Sequence, residues 1–189
     1  MGQVMKRLPY LLALDQMWTG DQIFFSGTKD VAQTIQLATG SIYSHVAVVV
    51  RLDEIMPHYP RDRVYFVESV GSGLELRNAR ARLRNDLLDG SACHWCHLQL
   101  TDDQRDRARE FALVECGKGI PYDFGSLFIH LVTEPPLDYG RYICSEFGQA
   151  CGISCGLELP ADRAMDPGEL AKALWPFTIE MVDLIGPVG

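Results

Sequence analysis

Residues 43–50 read YSHVAVVV, an apolar run rich in β-branched residues that follows a histidine. β-Branched residues favour strands, and alternation along a strand would place His45 on one face with Ala47 and Val49 and the remaining valines on the other. Both faces are apolar, which predicts a central strand covered on both sides. The run therefore predicts the middle of a sheet, with a histidine at one end of the strand.

Further strand and helix signals lie on both sides of this run. Turn residues bound the strands, and capping residues begin the helices, with Thr28 as one predicted N-cap and Thr101 with Gln104 as a capping box. Separate runs of strands and helices indicate an α+β fold with a mostly antiparallel sheet. The predicted strands are residues 21–25, 44–52, 64–70, 74–80, 92–100 and 177–185, and the predicted helices are 28–39, 101–117, 122–132, 144–152 and one that starts at 166–167.

Length and charge limit the class of protein. The 189 residues fit one domain, with a lead-in helix at 1–17, a core at 18–152 and a C-terminal helix and strand at 153–189. A net charge of −8 argues against a nucleic-acid surface, which needs clustered cations. The one basic cluster is interrupted by apolar residues and is expected to be a solvated face; it comprises Arg77, Arg80, Arg82 and Arg84.

The N-terminus predicts a protein that stays in the cytoplasm. The apolar run at residues 8–14 is short, contains Pro9 and has no small-residue cleavage site, so it does not match a signal peptide. No segment reaches the roughly 20 apolar residues of a membrane helix. Without an export signal, the six cysteines are expected to be reduced thiols.

Cys144 begins the predicted helix CSEFGQACG, residues 144–152. At a helix N-terminus the helix dipole and the unpaired N–H groups favour a thiolate, and the same N–H groups can bind a developing oxyanion. The alternative is a buried apolar cysteine, which is the usual role of this residue type. Cys151, later on the same helix, is expected to belong to the core.

His45 and Glu68 are candidate partners of Cys144. A histidine on an apolar strand is often a satisfied, half-buried residue, but an imidazole can also activate a thiol. Glu68 interrupts the strand VYFVESV, so it faces solvent at an edge or pairs with a cation. Pairing with His45 would fix the imidazole tautomer. We expect this carboxylate to be partly solvated and its replacement by Gln or Ala to leave the fold intact.

The motif CHWCH at residues 93–97 matches the pattern of covalent haem attachment and could also supply metal ligands. Alternation along a strand places Cys93 and His97 on one face and His94 and Cys96 on the other, so the ligands would diverge. No metal or cofactor is therefore predicted.

Four segments together resemble the permuted NlpC-like branch of the papain-like cysteine hydrolases, which includes the YiiX/YebB-like permuted amidases. They are GDQIFFSG at 20–27, YSHVAVVV at 43–50, VYFVES at 64–69, and IPYDFGSLF with YICSEFGQACG at 120–128 and 142–152. The resemblance implies a circularly permuted papain-like fold with a mostly antiparallel sheet or partial barrel. It implies Cys144 as nucleophile, His45 as base and Glu68 as the residue that orients the base. Asp21 and Asp123 match family positions but are expected to be turn and packing residues.

A sister branch, the lecithin–retinol acyltransferase type, shares the order of histidine strand and cysteine helix. It uses a second histidine a short distance after the first and an Asn-Cys-Glu-His-Phe motif. In this chain the nearest later histidine is His58, in a proline-rich loop, and the motif reads Ile-Cys-Ser-Glu-Phe. The resemblance thus implies a cysteine hydrolase that cleaves an amide, ester or thioester through an acyl-enzyme. Its substrate would be a small peptide, a peptidoglycan fragment or a lipid. A lipid acyltransferase or phospholipase and an inactive binding module on the same fold stay open, as does the oligomeric state.

Overall fold

The computed structural model describes residues 5–53, 63–122, 136–137 and 140–186. These residues form one sheet flanked by helices on both faces. The strands are β1 (Lys6–Pro9), β2 (Gln22–Ser26), β3 (His45–Arg51), β4 (Val64–Val70), β5 (Gly73–Asn78), β6 (Ala92–Leu98) and β7 (Thr178–Ile185). The helices are α1 (Tyr10–Leu14), α2 (Asp30–Thr39), α3 (Ala79–Leu88), α4 (Asp102–Gly117), α5 (Cys144–Ser154) and α6 (Pro167–Leu174).

The seven strands are arranged in the order β1-β7-β6-β2-β3-β4-β5. Every neighbouring pair is antiparallel except β1 and β7, which are parallel. This confirms the predicted α+β class and the mostly antiparallel sheet. Within the described ranges β1 and β5 are the two edges of the sheet, so it is open and does not close into a barrel.

Strand β3 is central and buried on both faces, as its sequence predicts. Val46, Val48 and Val50 are fully buried against α4, α5 and α6, on what we call the α5 face. Ala47 and Val49 are buried against α1 and α3, on what we call the α3 face. Burial of each valine contributes about 1.5 kcal/mol or more, so this strand is a large share of both cores.

Local signals place most of the helix ends correctly. Thr101 Oγ1 accepts from the Gln104 N–H at 3.3 Å, and Gln104 Oε1 accepts from the Thr101 N–H at 3.0 Å, which confirms the capping box of α4. Asp166 Oδ1 caps α6 by accepting from the N–H groups of Gly168 and Glu169, at 2.7 and 2.9 Å. None of the described helices is long and apolar enough to span a membrane.

Two predictions near helix starts are wrong. Of the described residues 5–17 in the predicted lead-in helix, only the five residues of α1 are α-helical, because Lys6–Pro9 pair with β7 and form a strand. Thr28 does not cap α2; Lys29 is the N-cap residue, and Thr28 Oγ1 donates to the Asp89 carbonyl at 3.1 Å. Residues 123–132 of the predicted helix and the predicted loop at 56–62 lie outside the described residues.

Gly73, the first residue of β5, packs against Ile120, just beyond α4, in a conformation that requires glycine. Its φ is +115°, and a Cβ built there would lie 2.6 Å from the Ile120 carbonyl oxygen. The next residue, Leu74, donates its N–H to the same oxygen at 3.1 Å. Any side chain at residue 73 would therefore collide with backbone as well as strain the chain.

Gly73→Ala is expected to lower the free energy of unfolding by about 3 kcal/mol, because the positive φ and the backbone contact both oppose a Cβ. Gly90→Ala is the matched control: Gly90 also has a positive φ, +80°, but a Cβ there meets nothing within 4 Å. Urea unfolding of both variants measures the difference. Equal losses of stability would show that the contact with Ile120 has no energetic weight.

Candidate active site

Strands β3 and β4 bring His45 and Glu68 to the same face of the sheet. The register pairs Val48 with Val67, and its extension places both side chains on the α3 face. His45 Nε2 lies 2.5 Å from Glu68 Oε2. The His45 side chain is 19% exposed, whereas the Glu68 carboxylate is 0% exposed. A buried carboxylate needs charged or hydrogen-bonding partners, and the imidazole is one of them.

Two arginines supply the remaining partners of Glu68. Arg82, on α3, donates from Nε to Glu68 Oε1 at 2.9 Å and also pairs with Asp86 one turn later. Its guanidinium lies 4.5 Å from the centroid of the Phe25 ring. Arg77, on β5, has its Nε 3.8 Å from the same Glu68 oxygen. The buried Glu68 carboxylate therefore forms ion pairs with several basic side chains.

The charges around Glu68 hold its carboxyl group ionised. Burial alone would raise the pKa of Glu68, but the hydrogen bonds and charges of His45 and Arg82 outweigh burial and lower this pKa from 4.5 to about 2. The expectation that Glu68 is partly solvated is wrong, because its side chain is 0% exposed. Its removal would leave Arg82 without its buried partner.

The prediction of a solvated arginine face is wrong for Arg82. The side chain of Arg82 is 18% exposed and points to the sheet, whereas Arg84 is exposed on the same helix. The signal lies in the helical spacing: Ala79 and Leu83 are the buried positions of α3, and Arg82 is three residues after the first and adjacent to the second. A cation on this buried side of α3 needs a buried anion as its partner.

Helix α5 presents Cys144 at its first position, next to His45. Ile143 is the N-cap residue, and its N–H donates to Glu146 Oε2 at 2.8 Å. The first-turn N–H groups of a helix have no acceptor within the helix, so they can serve an anion at Cys144. Cys144 and His45 line the same cleft. The structure thus brings together all three predicted site residues; their catalytic role stays a prediction.

His45 is more basic than an isolated histidine. Burial alone would lower its pKa, but the charge and hydrogen bond of Cys144 and the hydrogen bond and charge of Glu68 raise this pKa to about 9. An imidazole with this pKa readily holds a proton at neutral pH.

A cleft of about 360 Å³ opens onto Cys144 and His45. One wall is apolar and comes from Val31, Ala32 and Ile35 of α2, a helix with no buried residue. Arg82 and Lys29 add two cations to the lining. A larger groove of about 750 Å³, between residues 40–43 and α6, does not include the thiol or the imidazole.

Asp21 has a structural role, as expected. It is fully buried and accepts hydrogen bonds from the backbone N–H groups of Trp18 and Leu98 and from the Trp95 indole, at 3.0, 3.1 and 2.9 Å. His97 Nδ1 lies 3.0 Å from the same carboxylate, and Arg105 lies 3.4 Å from it. Asp123 and His58 lie outside the described residues.

The CHWCH segment forms β6, and its side chains diverge as predicted. Cys93 is buried in the core of the α3 face, and Cys96 is buried in the core of the α5 face. Among the described residues, no group of three or more His, Cys, Asp or Glu side chains is placed to hold a metal ion. Cys151 is a core residue, since its buried thiol donates to the Ala108 carbonyl at 3.7 Å.

Comparisons with known proteins show the fold. No family model matches the chain, and no curated protein matches it significantly. Among solved structures, the chain is similar to the metalloprotein YiiX from Escherichia coli O157:H7, with a TM-score of 0.62 and 17% sequence identity. The similarity covers 92% of this chain and 99% of that one. The chain therefore shares the α+β fold of YiiX over nearly its whole length.

The wild type is expected to be more stable than Glu68→Gln by about 3 kcal/mol at pH 7, since the variant breaks a buried ion pair. Because the folded pKa of Glu68 is lowered from 4.5 to about 2, this stabilisation is complete above pH 4.5 and is lost as the pH falls towards 2. Urea unfolding from pH 7 to pH 3 measures the difference. The exposed residue Glu110 on α4 provides the control, Glu110→Gln. A difference that does not shrink in acid would contradict the assignment.

Cys144 is expected to react with iodoacetamide at neutral pH at least about 10-fold faster than the other cysteines. Burial raises the pKa of each of the other five thiols, to about 12 for Cys93 and Cys96, and so keeps them protonated. Mass-spectrometric mapping after a brief exposure measures the order of labelling. Uniform labelling, or faster labelling at Cys116, would show that the site does not activate Cys144.

Proposed function

We propose that this protein is a cysteine hydrolase on a circularly permuted papain-like fold, cleaving an amide, ester or thioester at Cys144. The observation that carries the proposal is that Cys144, at the start of α5, lines one cleft with His45, which is paired with the buried Glu68 carboxylate. A thiol, an imidazole and an orienting acid are the parts that nucleophilic acyl transfer requires.

The arrangement supports the following sequence of proton transfers. Glu68 engages Nε2 of His45, which leaves Nδ1 as the ring nitrogen to take the proton from the Cys144 thiol. The thiolate attacks the substrate carbonyl carbon, and the new C–S bond produces a tetrahedral oxyanion. The His45 imidazolium then donates its proton to the leaving group as the bond to that group breaks. Water, deprotonated by His45, attacks the acyl-enzyme, releases the acid and restores the thiol.

The N-terminus of α5 is the source of oxyanion stabilisation in this proposal. The backbone N–H groups of the first turn, at residues 144–146, have no acceptor within the helix. The helix dipole adds a partial positive charge at the same place. Donors that are already oriented stabilise the transition state without the reorganisation that water would need.

One observation favours a second candidate, acyl transfer or hydrolysis on a lipid. The cleft wall formed by Val31, Ala32 and Ile35 offers apolar surface beside the thiol, which suits an acyl chain. The same acyl-enzyme serves both reactions, because an alcohol or amine can replace water in the second step. Peptide and lipid substrates are thus alternative occupants of one chemical site.

Cys144→Ser and His45→Asn are each expected to lower hydrolysis by about 100-fold or more, since one removes the thiolate and the other removes the base. Glu68→Gln is expected to retain more activity than Glu68→Ala, because it keeps an acceptor for His45. A panel of amides, esters, thioesters and detergent-dispersed lipids supplies the substrate, and mass spectrometry of the intact protein detects the acyl group on Cys144.

The control for these variants is Cys155→Ser, a change at a buried thiol outside the cleft. Equal activity in Cys144→Ser and Cys155→Ser would refute the assigned nucleophile. A wild-type protein that neither turns over any of these substrates nor accumulates an acyl group would instead be an inactive binding module.

A further inference from the structure

The two oxygens of the Glu68 carboxylate have different partners, His45 and Arg82. Glu68 Oε2 faces His45 Nε2 at 2.5 Å, while Oε1 accepts from Arg82 Nε at 2.9 Å. The carboxylate is fully buried, so each oxygen has a defined partner and neither faces bulk solvent. The bond from Arg82 therefore restrains the orientation of the carboxylate towards the imidazole.

The Phe25 ring packs against both Arg82 and His45. The Arg82 guanidinium lies 4.5 Å from the ring centroid, and the His45 ring centroid lies 5.6 Å from it. Asp86 pairs with the same guanidinium from the next turn of α3. A planar guanidinium can stack on an aromatic ring and donate sideways to two carboxylates at once, whereas a lysine ammonium cannot match this geometry.

We propose that Arg82 is a positioning residue of the reaction. It holds Glu68 with one oxygen towards His45. Its positive charge also weakens the stabilisation that the Glu68 carboxylate gives to the protonated His45 imidazole. The proposal rests on the proposed function, because His45 has to give its proton to the leaving group. If the buried carboxylate had no bond to Arg82, its full negative charge would act on the imidazole, which would then be a strong base and a poor acid.

The charged groups around the pair favour Arg82 over other cations for this role. Within the described residues, Cys144 faces His45 from α5, and Glu75 of β5 lies opposite Glu68 in the β4–β5 register. Arg77 is farther from Glu68 than Arg82, with its side chain 39% exposed, so water screens it more. Lys29, at the cleft rim, is paired with Asp89 at 3.0 Å on the protein surface. Arg82 is the nearest and least solvated cation of this set.

The test is a nuclear magnetic resonance titration of His45 in protein labelled with ¹⁵N-histidine. The chain has five histidines, and the His45 signal is assigned by its absence from His45→Gln. Arg82→Met removes the cation but keeps the length of the side chain, so the midpoint of His45 is expected to move to higher pH by about one pH unit. Arg82→Lys keeps a charge in poorer geometry and is expected to give a smaller upward shift. Arg84→Met, at the exposed arginine of the same helix, is expected to leave the midpoint unchanged.

A midpoint that is unchanged or lower in Arg82→Met would overturn the proposal. If Arg82→Met does not fold, Arg82→Lys decides: a midpoint above the wild type supports the proposal, and an unchanged midpoint overturns it. Failure of the proposed function has a different signature, namely a Cys144 that accepts no acyl group. The titration of His45 does not depend on turnover, so the two failures are distinguishable.

Discussion

Burial of β3 on both faces is the constraint on which the other elements depend. Five consecutive residues, 46–50, are almost completely removed from water, and no single layer of helices could cover them. The chain meets this requirement with α1 and α3 on one face and with α4, α5 and α6 on the other. The N-terminal end of the same strand lies at the margin of both cores, where His45 can reach Glu68 on the α3 face and Cys144 from the α5 face. The candidate site is thus formed where the two layers meet at the end of the central strand.

Two fully buried carboxylates show how environment separates a structural role from a chemical one. Asp21 is surrounded by donors from the backbone, from Trp95 and from Arg105, and none of these partners lines the cleft beside Cys144. Glu68 has a partner, His45, that itself opens onto the cleft. Both carboxylates compensate the cost of burial by pairing. Of the two, only Glu68 changes the electrostatics of a side chain, His45, that could contact a substrate.

The sequence could predict elements whose signals are local. The valine run predicted β3, and the capping box at Thr101 predicted α4, because both depend on neighbouring residues. β1 was missed, since its partner in β7 lies more than 170 residues away and four residues carry little periodicity. Pairing of Glu68 with Arg82 was missed for a related reason. A carboxylate in a strand and an arginine in a helix each look solvent-exposed until the packing of α3 against β4 is known, and that packing depends on the fold as a whole.

The chain order of the site divides it into two parts. His45, Glu68, Arg77 and Arg82 all lie between β3 and α3, a segment in which successive strands pair with their neighbours. Cys144 comes from a separate region that reaches the site only when α5 packs against β3. Short-range pairing is faster than long-range docking during folding, because closing a long loop costs more entropy. On this topology the charged framework can assemble before the nucleophile arrives, so an incompletely folded chain would carry the imidazole and its acid without a thiol to activate.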